Sequence, residues 1–315
     1  MRILLTGASS FTGYWFAEAL AARGHEIIAP LRRPLGDYDP NSVRDERVRR
    51  LARIARLVPD ARFGSDGFQA LCGDRLDLLC HHAAQVDRYR EPDFDVQAAL
   101  AQNTRSAEAV VHALSAGGAA GMVLTGTVFE PDEGEGDEPR VAVSPYGLSK
   151  ALTWGVFQDV CARAGLPLGK FVIPNPFGPW EEARFGAHLT GQWLVGRPAS
   201  VRTPLYVRDN IHVSLLAQAY AGFAEGLRAA REDARLNPSG YVETQAAFAE
   251  RMALALRPRL GVACELEILA QTDLSEPLRR VNFQPATALA PGWSETAAWD
   301  AYAEFALERA RKVAA

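Results

Sequence analysis

The stretch Arg2-Ile-Leu-Leu-Thr-Gly-Ala-Ser-Ser-Phe-Thr-Gly13 reads as an apolar strand running into Gly7, then a tight turn, then a helix that starts near Gly13. That order has a chemical use. Glycines let a backbone pass close to a pyrophosphate, while the free N–H groups and positive end of the following helix stabilise its charge. Gly7, Ser9, Ser10, Phe11, Thr12 and Gly13 are therefore the candidate residues for holding a dinucleotide, with Ser10 standing where the middle glycine of such a turn usually falls. Taken alone, a Gly-Ser turn between a strand and a helix is commonly just a turn, so the rest of the chain has to support the reading.

It does so first by pattern. Short apolar runs alternate with longer amphipathic ones at Ile3–Thr6, Tyr14–Arg23, Glu26–Leu31, Leu76–His82, Ala98–Leu114, Met122–Thr125, Ala151–Ala164 and Phe171–Pro174. Strand-helix alternation of this kind predicts an α/β fold, a Rossmann-like doubly wound parallel sheet with helices on both faces. Between them, Arg44–Arg56 reads as a helix and Leu57–Val58 as a short strand. After Pro174 the pattern loosens into a region rich in Gly and Pro. The expected division is residues 1–174 as the dinucleotide-binding domain and 175–315 mainly as a smaller C-terminal substrate-binding lobe, with elements at about 205–228 returning to the first domain. Within Glu295–Val313, Trp299, Tyr302, Ala306 and Ala310 form a stripe at helical spacing, which reads as core packing. The acidic segment Asp132–Glu138 reads as a solvated turn.

Composition sets the outer limits. A chain of 315 residues with 48% hydrophobic and 23% charged residues is long enough to bury a sizeable core and is not that of a disordered or collagenous protein. Lys and Arg number 34 against 38 Asp and Glu, a net charge of −4, so no positive field directs it to nucleic acid or an anionic membrane. Cys72, Cys80, Cys161 and Cys264 lie in apolar stretches without metal-ligand spacing, which reads as reduced, buried thiols and no metal site. The run after Arg2 is too short for a secretion signal and no stretch has the length of a membrane span, so the expectation is a cytoplasmic protein.

Tyr146-Gly-Leu-Ser-Lys150 places a phenol and an ammonium one helical turn apart on one face. An ammonium beside a phenol favours the phenolate and lowers the phenol's pKa toward a value usable in acid/base chemistry. An isolated pair of this kind is usually surface decoration. Upstream, however, Met122-Val-Leu-Thr125 looks like the end of a buried strand, and in a parallel sheet those ends face the ligand crevice, so Thr125 points a hydroxyl at a bound cofactor. Arg32 and Arg33 follow the second strand, about twenty residues beyond Gly13, where NAD-binding proteins place an acid for the ribose hydroxyl. Guanidinium groups there suit a 2′-phosphate, which predicts NADP(H) over NAD(H). His81 and His82 are neighbours on a strand and so point to opposite faces; they cannot share a metal ion, and the role expected for them is packing.

With these residues in order, the chain resembles the extended short-chain dehydrogenase/reductase family, the NAD(P)-dependent sugar-nucleotide epimerase/dehydratase/reductase group. The matching motifs are Thr6-Gly7 to Gly13, His82-Ala83-Ala84, Asn103, Thr125-Gly-Thr-Val-Phe129, Tyr146 to Lys150, Asn175-Pro-Phe-Gly-Pro179 and Arg208-Asp-Asn-Ile-His-Val213. The resemblance implies that Tyr146 is the catalytic acid/base, that Lys150 orients the nicotinamide ribose, and that Thr125 hydrogen-bonds the reacting oxygen. It places Ala83, Ala84 and Asn103 along the cofactor, and Thr127, Asn175 and Arg208 at the sugar and its diphosphate, with Arg279 or Arg280 as a further phosphate contact. It also implies a homodimer, formed by the helices at Ala98–Leu114 and Ala151–Ala164 with Trp154 and Phe157 on the shared surface. Dehydratases of the family carry Asp-Glu after the catalytic Thr, whereas Gly126-Thr127 stand here, so dehydration is disfavoured. Phe129-Glu130 stand where Tyr-Gly is common, and Ser214 stands for the usual aspartate. The implied function is redox chemistry on a nucleotide-activated sugar, by epimerisation or keto-sugar reduction. The rival readings are an NADPH-dependent reductase of a carbonyl substrate without a nucleotide, and a non-enzymatic dinucleotide-binding regulatory protein.

Overall fold

The computed structural model describes residues 1–136 and 141–314. In chain order its first half is β1 (Arg2–Thr6), α1 (Phe11–Ala22), β2 (Glu26–Pro30), α2 (Val43–Leu51), β3 (Arg56–Val58), α3 (Asp66–Cys72), β4 (Leu78–His81), α4 (Val96–Asn103), α5 (Ala107–Ala116), β5 (Gly121–Thr127), β6 (Glu135–Gly136), α6 (Pro145–Ala164) and β7 (Leu168–Ile173). The second half is β8 (Asn175–Phe177), α7 (Phe185–Leu194), β9 (Ala199–Val201), β10 (Val207–His212), α8 (Val213–Ala230), β11 (Ala234–Leu236), β12 (Pro238–Ser239), β13 (Tyr241–Thr244), α9 (Gln245–Leu260), β14 (Leu266–Ile268), β15 (Arg279–Val281), β16 (Gln284–Pro285) and α10 (Glu295–Ala314).

Seven strands form one parallel sheet in the order β11-β7-β5-β4-β1-β2-β3. Its central strands are apolar and covered on both faces, as parallel strands must be. On one face Phe16, Leu20, Leu216 and Tyr220 of α1 and α8 pack over Ile3, Leu5, Val123 and Phe171. On the other, Val110, Leu114, Phe157 and Val160 of α5 and α6 pack over Leu4, Leu79, Met122 and Leu124. The doubly wound sheet is thus as the alternating pattern predicts. The C-terminal part adds a mixed sheet, β13-β10-β15-β6 with β8 beside β10, and a separate core in which Phe177, Trp193, Phe248, Trp299 and Tyr302 meet. Of the terminal stripe, Trp299, Tyr302 and Ala306 are buried there as expected. Among the described residues no helix is long and apolar enough to cross a membrane.

Three expectations change. The segment Ala98–Leu114 is two helices, because Ser106 takes a left-handed conformation (φ 51°) between α4 and α5. Phe157 is fully buried against Phe63 and His81, and Trp154 lies under the Lys170 ammonium, so the exposed apolar residues of α6 are Leu148 and Leu152 instead. Within Asp132–Glu138, Glu133 is buried rather than solvated, held by Lys170, Arg235 and Asn237; Asp137 and Glu138 lie outside the described residues. All four cysteines are buried free thiols, and burial pushes Cys72, Cys80 and Cys161 up to about 12.

Candidate active site

The turn after β1 is built by contact. Gly7 has φ +72°, and a Cβ on it would lie 2.8 Å from the Ala83 nitrogen, while a Cβ on Gly13 would lie 2.2 Å from the Gly7 carbonyl oxygen. Both positions exclude side chains, because main chain from two other directions passes there. Ser10 is accommodated at φ −74° and acts as the N-cap of α1, its Oγ accepting from the Gly13 N–H at 3.1 Å. The missing middle glycine is therefore replaced by a helix cap, and the α1 N-terminus stays open as an anion cradle.

Thr6 ties this turn to the end of β4. Its Oγ1 accepts from the backbone N–H groups of His82 (3.0 Å) and Ala83 (2.9 Å) and donates to His81 Nδ1 (2.9 Å). Asn103, expected along the cofactor, spends its side chain on support: Oδ1 accepts from Gln85 N–H at 2.8 Å and Nδ2 donates to Thr153 of α6 at 3.2 Å. Ala83 and Ala84 follow β4 at its carboxyl end, next to Gly7.

Tyr146 and Lys150 lie on α6. The Tyr146 ring meets Tyr89 and Phe94 edge-on, with centroids 5.4 and 6.1 Å away. Lys150 is buried, and burial brings its ammonium down to about 8. Burial and the Glu130 carboxylate push the Tyr146 phenol up, not down. The expectation of a phenol already lowered by Lys150 is thus corrected: in the structure as it stands, desolvation and a nearby anion raise it, and the charge that opposes them is Arg184. Thr125 points to the opposite face of the sheet from α6, its Oγ1 3.1 Å from His82 Nδ1. Among the described residues, no hydrogen bond joins Thr125, Tyr146 and Lys150 directly; they share the carboxyl end of the sheet.

At the substrate side, Asn175 of β8 pairs in register with Asn210 of β10, and both buried side-chain nitrogens lack a partner. Two orphaned donors side by side are what a polar ligand would satisfy. Thr127 is buried, its N–H bonded to Glu130 Oε1 at 2.8 Å. Arg208 is enclosed: it donates to Glu276 (2.8 Å) and to the carbonyls of Val207, Pro277 and Leu278. Arg280 turns inward to the carbonyls of Val128 and Glu130, whereas Arg279 remains half-buried. Just after β2, Arg32 and Arg33 are exposed, with Arg32 3.7 Å from Asp87, and Arg33 lines a cavity of about 440 Å³ with Asp37, Asp39 and Arg44.

Several residues at the site carried no sequence signal. Arg47 of α2 is fully buried, and its guanidinium reaches the Ser9 carbonyl (3.0 Å), the Trp180 carbonyl (2.6 Å) and Glu182. Glu181 is buried with one carboxylate oxygen unpartnered, and burial lifts it to about 8. Its neighbour Arg184 opposes the upward shift of Tyr146. Both histidines pack as expected, His81 stacked on Phe63 at 4.0 Å and His82 edge-on to Phe16 at 5.1 Å, and His82 adds contacts with the Ser10, Thr12 and Thr125 hydroxyls that carried no sequence signal.

Comparison with known proteins gives the chain a family and a fold. Residues 3–237 match the NAD dependent epimerase/dehydratase family. Comparison with curated proteins gives no match. Among solved structures, a UDP-glucose 4-epimerase from Stenotrophomonas maltophila with NAD and formylated UDP-arabinopyranose superposes with a TM-score of 0.74 at 20% identity, over 100% of both chains. A UDP-glucuronic acid 4-epimerase variant from Bacillus cereus with a fluorinated UDP-sugar and NAD gives 0.73 at 15% identity, over 98% of this chain and 100% of that one. A UDP-N-acetylglucosamine 4-epimerase from Methanobrevibacter ruminantium M1 with UDP-N-acetylmuramic acid gives 0.73 at 14%, over 98% of each. At such identities the likeness is one of fold. Sequence motifs, sheet order and the family match over most of the chain lead to one conclusion: this protein belongs to the NAD dependent epimerase/dehydratase family.

Proposed function

We propose that the protein is an NAD(P)-dependent enzyme that epimerises a nucleotide-activated sugar. The observation that carries this is the convergence, at the carboxyl end of one parallel sheet, of the side-chain-excluding Gly7/Gly13 turn with Thr125, Tyr146 and Lys150. A nicotinamide dinucleotide fits what is there: a cradle that Cβ atoms would fill, an open helix N-terminus, and a buried Gln85 Oε1 without a partner beside Ala83 and Ala84. When bound, the nicotinamide supplies hydride acceptance and return. Tyr146 takes and gives back the sugar hydroxyl proton, Lys150 holds the ribose hydroxyls and adds positive charge, and Thr125 hydrogen-bonds the reacting oxygen. Asn175, with Asn210 beside it, reads the polar sugar-diphosphate portion. Epimerisation is favoured over one-way reduction because the structural neighbours are named as 4-epimerases. Dehydration is disfavoured: Gly126 stands where dehydratases carry an acid, and a Cβ there would lie 2.8 Å from both Glu130 Oε1 and Lys170 Cε, so any side chain would have to displace that buried pair.

A thermal-shift screen tests the reading, since a ligand that binds only the folded state raises the melting temperature. UDP-sugars with a dinucleotide should raise it by several degrees. A second reading, reduction of a carbonyl compound without a nucleotide, gains from the engagement of Arg208 by Glu276. A shift with such compounds and none with any nucleotide sugar overturns the first reading in favour of the second.

The cofactor preference proposed is NADP(H) over NAD(H), supported by the exposed Arg32 and Arg33 at the end of β2. The neighbours above that were solved with a dinucleotide hold NAD, so the test is direct. Titration of both cofactors should show tighter NADP binding and a loss confined to NADP in Arg32→Ala/Arg33→Ala. Tighter NAD binding by the wild type, or an equal loss for both cofactors, overturns it.

A further inference from the structure

We infer that Glu130 is a positioning residue for the Tyr146/Lys150 pair, its buried carboxylate serving as the counter-charge of the Lys150 ammonium. The inference rests on the proposed role of that pair and supplies what the role leaves open, namely which group outside the pair holds its charges. Glu130 stands where a glycine is common in the family, so the charge it brings is this chain's own.

The wedge between β5, β7 and the first turns of α6 places the carboxylate. Glu130 follows β5, and Phe129 beside it lies directly against α6: a Cβ on Gly147 would meet the Phe129 carbonyl oxygen at 2.0 Å. Glu130 Oε1 accepts from the Thr127 N–H at 2.8 Å, and its Oε2 lies 2.5 Å from the Lys170 ammonium of β7. Gly126 leaves room for this contact, since a Cβ there would lie 2.8 Å from both Glu130 Oε1 and Lys170 Cε. Lys170 in turn lies 4.9 Å from the centre of the Trp154 ring, one helical turn beyond Lys150 on α6. Lys150 and Glu130 are each almost wholly buried, so their charges act on one another through little solvent.

The charges sort accordingly. Burial lowers the Lys150 ammonium, the Glu130 carboxylate opposes that fall, and the Lys170 ammonium adds to it. The same carboxylate pushes the Tyr146 phenol up. Glu130 thus keeps Lys150 cationic and Tyr146 protonated, and its loss moves both groups in one direction. Among the described residues, the other charged and titratable groups around the wedge are Glu133 and Arg235, which meet beside Lys170, Arg280 at the Glu130 carbonyl, and Tyr89 and Arg184 near Tyr146. His81 and His82 feel the Lys150 charge but are brought down to about 3, chiefly by burial, and stay neutral at neutral pH.

The experiment has two arms, both on the full chain. Its only lysines are Lys150, Lys170 and Lys312, so carbon-13 NMR of lysine-labelled protein follows Lys150 directly, its signal assigned by absence from Lys150→Arg. Glu130→Gln, which keeps the shape and removes the charge, should move the Lys150 titration from about 8 to lower pH, by about one pH unit. Glu130→Asp, which keeps the charge and shortens the side chain, should leave it nearer the wild-type value. Lys170→Met should move it up. An unchanged Lys150 titration in Glu130→Gln, equal displacement in Glu130→Gln and Glu130→Asp, or displacement in one direction by Glu130→Gln and Lys170→Met overturns the inference. If Glu130→Gln does not fold, Lys170→Met/Glu130→Gln carries the same test with a smaller downward move, because Glu130 is the larger influence on Lys150. In the kinetic arm, Glu130→Gln should carry the rise of kcat with pH to lower pH as well. A wild-type kcat without that rise overturns the proposed role of Tyr146 instead, while the Lys150 titration still decides the counter-charge.

Discussion

Tyr146→Phe should lower turnover by on the order of a hundredfold or more while leaving dinucleotide affinity nearly unchanged, the usual scale for losing a general acid/base. The substitution removes one oxygen from a half-buried ring, and the edge-on contacts with Tyr89 and Phe94 survive, so the fold has little reason to respond. The effect should reside in kcat. Its pH dependence follows from the neighbours. Burial and Glu130 keep the phenol protonated in the structure as it stands, and Lys150, at about 8, is charged below that pH. Wild-type activity should therefore climb with pH as the phenolate becomes accessible and level off once Lys150 discharges above about 8, because there the loss of ammonium offsets the gain of phenolate; the residual activity of Tyr146→Phe should lack the rising limb. Steady-state kinetics and a cofactor titration check this, and unchanged turnover in the variant removes Tyr146 from the catalytic role.

The second large effect is on stability. Lys170, in the middle of β7, holds Glu130 at 2.5 Å and Glu133 at 2.6 Å, with all three side chains almost wholly buried. Asn237 and Arg235 complete the cluster at Glu133, and the Thr127 N–H completes it at Glu130. Lys170→Met removes the central cation, leaving the Glu130 carboxylate in a dry interior without one and Glu133 with Arg235 alone, which should cost about 3–5 kcal/mol. Melts at pH 7 should show this loss, and Lys170→Met/Glu130→Gln, which removes the stranded charge, should recover part of it. A melting temperature matching the wild type at pH 7 would sink the idea.

How far the sequence could be read depended on the range of the interactions. The β1 turn is legible because much of its constraint is local: Gly7 needs a positive φ and Gly13 lies against the Gly7 carbonyl, although the Ala83 backbone that also closes on Gly7 comes from far along the chain. The Tyr146/Lys150 spacing is legible because one helix fixes it. By contrast, Glu130 and Lys170 meet only through the pairing of β5 with β7, and nothing within either segment announces it. The packing of His82 was legible, but its hydroxyl partners were not, because they come from the α1 turn and from β5. The α4–α5 break was hidden for another reason. Apolar periodicity runs on through it, and the left-handed residue that makes it is Ser106, not the glycine that would announce such a backbone. Arg208 carried the right motif, yet its guanidinium is taken up by the 276–278 loop, a contact that only tertiary structure reveals.

Arg47 leaves a constraint on how such a chain can be altered. One dry guanidinium is shared between the Ser9 carbonyl of the turn after β1 and the Trp180–Glu182 segment that leads into α7. Trp15 of α1 grips the same segment through the Pro179 carbonyl at 3.0 Å, and Arg50 of α2 lies 3.8 Å over the Trp180 ring. The two halves are riveted together there. A graft that exchanges the C-terminal half for that of a relative would have to bring its own mate for this cation, or leave the turn after β1 facing an unanswered charge. Re-engineering this scaffold is thus a matter of changing side chains within that half, not of exchanging it.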